Sequence, residues 1–93
     1  MPYITFVSQA KTTQQEKQPR KEGVKVIQYL KDLKEKPPLD INIHNIYLPL
    51  GQFDSIIIFD APDNNKALKF ATDVGLSTGN VTETVPLVPI DEI

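Results

Sequence analysis

Four consecutive apolar residues, Ile56-Ile57-Ile58-Phe59, constrain this chain more than any other feature of its sequence. A β-strand turns alternate side chains to opposite faces of its sheet, so an unbroken apolar run indicates that neither face is open to water. The sequence therefore predicts a central strand over residues 53–60, in a sheet that is covered on both sides.

The length of the chain leaves room for one domain. With 93 residues it can enclose a single hydrophobic core. A monomer of this size buries only about 60–65% of the surface that its unfolded chain exposes, so association would add stability. We expect one domain over residues 1–93, with a loose loop at about 9–18 and a loose tail at about 87–93.

Two stretches predict helices. In residues 20–36, apolar side chains recur at three-residue steps, which is typical of an amphipathic helix. These side chains are Val24, Ile27, Leu30 and Leu33, with Val26 beside them. Pro37 and Pro38 must end this helix, because proline lacks the backbone donor.

The second helix is expected to begin after Asp63, whose carboxylate can accept from the first backbone N–H groups as an N-cap. Its apolar stripe consists of Ala67, Leu68, Ala71 and Val74. Gly75 or Gly79 is expected to end it, because glycine readily adopts the left-handed conformation found at helix ends.

Three further strands are expected at residues 3–7, 41–48 and 81–85. Ile4 and Phe6 would share one face of the first. In the strand at 41–48, strict alternation would place Ile43 and Asn45 on one face of the sheet and His44 and Ile46 on the other.

The order strand, helix, strand, strand, helix, strand predicts an α+β domain of the ferredoxin-like βαββαβ type. Its four-stranded antiparallel sheet carries both helices on one face. The helix-free face would then expose part of the apolar set of the central strand, so we expect a homodimer or higher homo-oligomer that pairs these faces.

Composition excludes several classes of function. Ten basic and twelve acidic residues give a net charge of −2, which provides no general attraction to nucleic acid or to anionic membranes. Without cysteine there is no disulfide, thiol nucleophile or thiolate metal site. No stretch reads as a signal peptide or approaches the ~20 apolar residues of a membrane span, so we expect a cytoplasmic protein.

Three short motifs carry a family resemblance. YLPLGQFD at 47–54, DAPD at 60–63 and GNVTET at 79–84 resemble, in this order, the GYD domain family. The resemblance implies a ferredoxin-like fold of the dimeric α+β-barrel type and no particular biochemical activity. Phe53 stands where the tyrosine of the family signature is usual, and Asp60 where glutamate is commoner.

Gly51 and Asp54 match that signature. In a tight turn glycine permits positive φ and aspartate accepts from backbone amides, so a structural role is favoured over a carboxylate at the mouth of a cavity. His44, the only histidine, could be a general base or a metal ligand, but it lacks the partners of a zinc site. Tyr47 and Glu83 could supply an aromatic wall and an acid to a dimer cleft.

Two hypotheses about function follow, and no metal or cofactor is expected in either. The favoured one is a non-catalytic dimeric domain that binds a small organic molecule, in a cleft between sheet and helices or at the dimer interface, with His44, Tyr47, Asp54 and Glu83 as candidate contacts. The alternative is a small cofactor-free enzyme of monooxygenase or isomerase type, by analogy with other dimeric α+β barrels.

RNA binding, which RNA-recognition motifs of the same topology perform, ranks last. Their third strand needs a basic residue and alternating aromatics on the open face, whereas the corresponding segment here, 51–57, carries the acidic Asp54.

Overall fold

The computed structural model of this protein describes residues 1–8, 21–49 and 55–93. Its elements follow the predicted order strand, helix, strand, strand, helix, strand. They are β1 (Pro2–Ser8), α1 (Lys21–Glu35), β2 (Asn42–Tyr47), β3 (Ser55–Asp60), α2 (Asn64–Thr78) and β4 (Val81–Pro86), followed by a short 3₁₀ turn, Ile90–Glu92.

The four strands form one sheet in the order β2-β3-β1-β4, and every neighbouring pair is antiparallel. The predicted central strand is confirmed over residues 55–60, because β3 lies between β2 and β1, while residues 53 and 54 of the prediction lie outside the described part. Ile57 and Phe59 are completely buried, while the intervening Ile56 and Ile58 face the opposite side of the sheet and are half-buried. The ferredoxin-like α+β fold expected from the sequence is confirmed.

One hydrophobic core lies between the sheet and the two helices. Its centre is aromatic: the ring of Phe59 stacks on Tyr3 with centroids 5.5 Å apart and meets Phe70 of α2 at 4.6 Å. Alternate residues of β1 and β3 and apolar residues of both helices complete it, which places the helices on the same face of the sheet. The remaining core members are Val7, Leu30, Leu33, Ile41, Ile57, Ala61, Ala67 and Val74.

Helix α2 begins and ends at predicted residues. The Asp63 carboxylate accepts from the Lys66 N–H at 2.9 Å, and Gly79 adopts φ +70° at the C-terminal end. The predicted stripe is wrong at Leu68, which is exposed, and Phe70 is buried instead. The buried positions 67, 70, 71 and 74 follow the 3.6-residue period, which places position 68 about 100° away from Ala67.

Helix α1 buries Leu30 and Leu33 and packs Val26 and Tyr29 partly against the core. The prediction that Ile27 belongs to the buried stripe is wrong, because its side chain is 40% exposed. Three-residue steps drift by about 60° around a helix at each step, so positions 24 to 33 cannot all face the sheet. The side chain of Val24 and residue 20 lie outside the described part.

Strict alternation along β2 is also wrong. The register with β3 shifts between Ile43 and Asn45, as a β-bulge, so that His44 is an extra residue. Ile43 and Ile46 consequently both pack against the core, opposite Phe59 and Ile57. The bulge keeps two isoleucines on the covered face and leaves the polar residues between them outside.

Candidate functional site

The side of the sheet opposite α1 and α2 has an apolar centre, which we call the open face. The register places Ile4 of β1 between Ile58 and Val85, and Phe6 between Ile56 and Glu83. The isoleucines and Phe6 are half-buried, whereas Val85 is exposed. The open face consists of Ile4, Phe6, Tyr47, Ile56, Ile58 and Val85.

A histidine and an aspartate form a pair at one corner of this face. His44 Nε2 lies 2.6 Å from Asp60 Oδ2, and the two side chains are 48% and 37% exposed. Asp60 ends β3 on the same side of the sheet as Ile58, and the bulge in β2 turns His44 towards it. Because the carboxylate bonds Nε2, the ring is oriented and Nδ1 is the nitrogen that can contact a ligand.

Tyr47 belongs to a hydrogen-bond chain along the edge of the sheet. Its hydroxyl accepts from Asn45 Nδ2 at 3.1 Å. The oxygen of the same amide accepts from Lys34 Nζ at 3.1 Å and from the Ile46 backbone N–H at 2.9 Å. These contacts fix Asn45 and orient the tyrosine ring over the edge of the open face.

Glu83 lies at the opposite edge of the sheet. It shares one cross-strand row with Tyr47, Ile56 and Phe6, so three strand spacings, about 14 Å, separate it from Tyr47. Within one chain, therefore, His44, Tyr47 and Glu83 share a face but do not converge within hydrogen-bond reach. Gly51 and Asp54, the two signature positions, lie outside the described residues.

Sequence reasoning missed Asp60 and Asn45 as partners of the candidate residues. The sequence places Asp60 at the end of the central strand and in the DAPD motif, but its contact with His44 depends on the bulge. A signal was present, because Ile43 and Ile46 are three residues apart and can share a face of a strand only if one residue between them is extra.

Two findings limit the chemistry of the described part of the chain. It contains no group of three or more His, Cys, Asp or Glu side chains placed to hold a metal ion. No helix in these same ranges is long and apolar enough to cross a membrane.

The element order and the strand order define a class, the ferredoxin-like α+β domains. Within this class the chain belongs to the GYD domain family, whose model matches residues 6–93. The family that the motifs resembled is thereby confirmed.

Comparison with solved structures supports the fold independently. The chain is similar to the leucine response regulatory protein (LrpA) of Mycobacterium tuberculosis, with a TM-score of 0.61 and 6% sequence identity. The match covers 95% of this chain and 50% of LrpA, so this chain corresponds to about half of that protein. At such low identity the likeness concerns the fold alone. The search of curated proteins gave no significant match.

Proposed function

We propose that this protein is a homodimeric domain that pairs the open faces of two copies and binds a small organic molecule at their interface. The observation that carries the proposal is the composition of the open face. Its centre is apolar and neither α1 nor α2 of the described residues covers it, while its margin carries His44, Asp60 and Glu83. An apolar core with a polar rim is the usual anatomy of a protein interface.

The size of the face sets the expected strength of the dimer. Four strands about 4.8 Å apart and six residues at about 3.3 Å each give a surface of roughly 19 by 20 Å. A standard interface buries about 800 Å² on each partner, so the open face alone supplies a small one. We therefore expect an isologous, two-fold dimer that dissociates on dilution.

The ligand part of the proposal rests on the β2 edge of the open face. His44, held by Asp60, and Tyr47, held by Asn45, present oriented polar atoms beside aliphatic side chains. Small-molecule sites combine an apolar wall with a few fixed polar groups in this way. That a solved protein of the same fold is named for its response to leucine supports a small organic ligand by fold-level analogy.

Charge on the open face tests the dimer. In sedimentation velocity, Ile58→Lys should shift the protein to monomer at concentrations where the wild type is dimeric, because an ammonium would be buried in the interface. Leu76→Lys is the matched control, since Leu76 is exposed on α2. A dimer unaffected by Ile58→Lys, with circular dichroism showing both variants folded, would reject the open face as the interface.

A thermal-shift screen with amino acids, short-chain acids and small aromatics tests the ligand. A ligand present at 100 times its Kd stabilises by about 2.7 kcal/mol, which raises Tm by roughly 10–20 °C in a domain of this size. The shift should be smaller in His44→Gln. Equal Tm shifts in the wild type and in His44→Gln would show that His44 does not contact the ligand. No Tm shift with any compound would reject the ligand proposal.

The His44–Asp60 pair supports a second candidate, a small cofactor-free enzyme. An imidazole oriented by a carboxylate is suited to abstract a proton from an activated carbon, as in an isomerase. The test is NMR detection of deuterium exchange from D₂O into ketones and hydroxy-enones, with His44→Gln as the control. Exchange that depends on His44 would support the enzyme, and identical background rates in both proteins would reject it.

A further inference from the structure

A second surface feature lies on the helix-covered side of the sheet, across the β2 edge from the open face. It is a groove of about 190 Å³ between α1 and the edge strand β2. Its lining consists of Ile27, Leu30, Lys31, Lys34, Ile46 and Leu48. Four of these six side chains are aliphatic.

The walls of the groove are apolar side chains that the fold leaves uncovered. Leu30 is buried at its base, but Ile27 is 40% and Leu48 56% exposed on the two sides. The period of α1 accounts for Ile27, which stands about 60° away from Leu30 and so faces the edge of the sheet rather than the core. An aliphatic group between Ile27 and Leu48 would remove both from water.

Both charged residues of the groove are cations. In the part of the chain that the structure describes, the one ion pair is His44–Asp60, so neither Lys31 nor Lys34 has a carboxylate within 4.0 Å. Lys34 Nζ is held near the strand by its bond to Asn45 and retains further donors. The groove is therefore basic, although the protein carries a net charge of −2.

Two other depressions in the described ranges differ in this respect. One, of about 220 Å³ between the α1–β2 connection and α2, combines Lys66 and Lys69 with Asp40 and Asp73. Another, of about 480 Å³ beside Tyr29, combines one lysine with Asp32 and Glu35. In both, carboxylates line the depression together with the cations, so the α1–β2 groove differs from them in joining an aliphatic lining to a net positive charge.

We propose that the α1–β2 groove binds an aliphatic monocarboxylate. The acyl chain lies between Ile27 and Leu48, and the carboxylate is placed at Lys31 and Lys34. The volume is below the roughly 300–1,000 Å³ of pockets for drug-sized ligands, which favours a chain of short to medium length.

The experiment measures Kd by NMR titration of methyl-labelled full-length protein with butyrate, hexanoate and octanoate, all below micelle formation. Affinity should rise about fourfold per methylene until the groove is full. Octanol should bind about five to ten times more weakly than octanoate, since it lacks the two exposed ionic contacts. The methyl signals of Ile27 and Leu48 should shift most.

Two double variants locate the charge. Lys31→Gln with Lys34→Gln should weaken octanoate about five- to tenfold and leave octanol unchanged. The control is Lys66→Gln with Lys69→Gln, which removes the same charge from the depression of about 220 Å³ beside α2. It should change neither the Kd of octanoate nor that of octanol. Equal affinity for octanol and octanoate, equal effects of the two double variants, or no binding at millimolar octanoate would overturn the proposal.

Lys34 links the groove to Tyr47 of the open face through Asn45, so a variant that leaves this hydrogen-bond chain intact is needed to test the two proposals separately. Ile58→Lys should retain octanoate binding even as it dissociates the dimer. Loss of octanoate binding in that monomer would show that the groove is complete only in the dimer and would overturn the site as proposed on a single chain.

Discussion

Two buried hydroxyls on the covered face of the sheet differ in their partners. Thr5 and Ser55 are both completely buried, on the adjacent strands β1 and β3. Thr5 Oγ1 lies 2.8 Å from Thr84 Oγ1, whereas Ser55 Oγ has no hydrogen-bond partner. A buried polar group without a partner costs roughly 1–3 kcal/mol, while a satisfied one contributes roughly 0.5–1.5 kcal/mol.

Substitution of these two residues should therefore change stability in opposite directions. Ser55→Ala should raise the free energy of unfolding by up to about 1 kcal/mol, because it removes an unsatisfied hydroxyl. Thr5→Val should lower it by about 0.5–1.5 kcal/mol, because Thr84 loses its partner. Urea denaturation measures both. If Ser55→Ala were the more destabilising of the two, our interpretation of Ser55 would be wrong.

For individual residues, the sequence predicted positions in the central strands better than positions on the helix surfaces and at the strand ends. Ile57, Phe59 and the shared face of Ile4 and Phe6 follow from period-2 alternation, which the sheet enforces. Ile27 and Leu68 were assigned wrongly, since apolar type does not reveal on which side of a stripe a residue falls. Asp60 was missed because its contact with His44 depends on the pairing of two strands.

Helix α2 shows how far local chemistry determines an element. Asp63 and Gly79 were both candidates from residue type alone, because each satisfies backbone groups that a helix end leaves open. The bulge in β2 was not predicted, since the position of an extra residue is decided by register with β3 rather than by β2 itself.

The N-terminal cap of α2 gives a direct test at the element scale. Asp63→Ala removes the acceptor for the Lys66 N–H and should cost about 1 kcal/mol of unfolding free energy. Asp63→Asn should cost much less, because asparagine caps as well as aspartate. Guanidinium denaturation distinguishes them, and equal losses in both variants would argue for a role of the charge instead of the cap.

At the other end of α2, Gly79→Ala should cost about 1–2 kcal/mol, because its φ of +70° is unfavourable for a residue with a Cβ. No atom lies within 4 Å of an added Cβ, so the cost is conformational and not steric. Gly79→Asn should lower the free energy of unfolding much less, since asparagine tolerates the left-handed region of positive φ. Thermal unfolding of the two variants provides the comparison, and an unchanged Tm for Gly79→Ala would contradict the assignment.

The whole molecule is organised by the difference between the two sides of its sheet. One side is covered by α1 and α2 over an aromatic core, and on the other, within residues 1–8, 21–49 and 55–93, no helix covers the apolar centre of the open face. The apolar run 56–59 indicates that both faces of the sheet are covered. The described part of one chain covers only the face on which α1 and α2 pack. Pairing of two open faces would supply the second cover, and this is the central claim of our account.

Isotope-filtered NMR on a dimer mixed from ¹³C-methyl-labelled and unlabelled chains tests that claim most directly. We expect intermolecular NOEs to the methyl groups of Ile4, Ile56 and Ile58, and none to those of Leu68 or Leu76 on the outer side of α2. Intermolecular NOEs confined to the helix side, or a monomer that stays folded at millimolar concentration with no such NOEs, would contradict it.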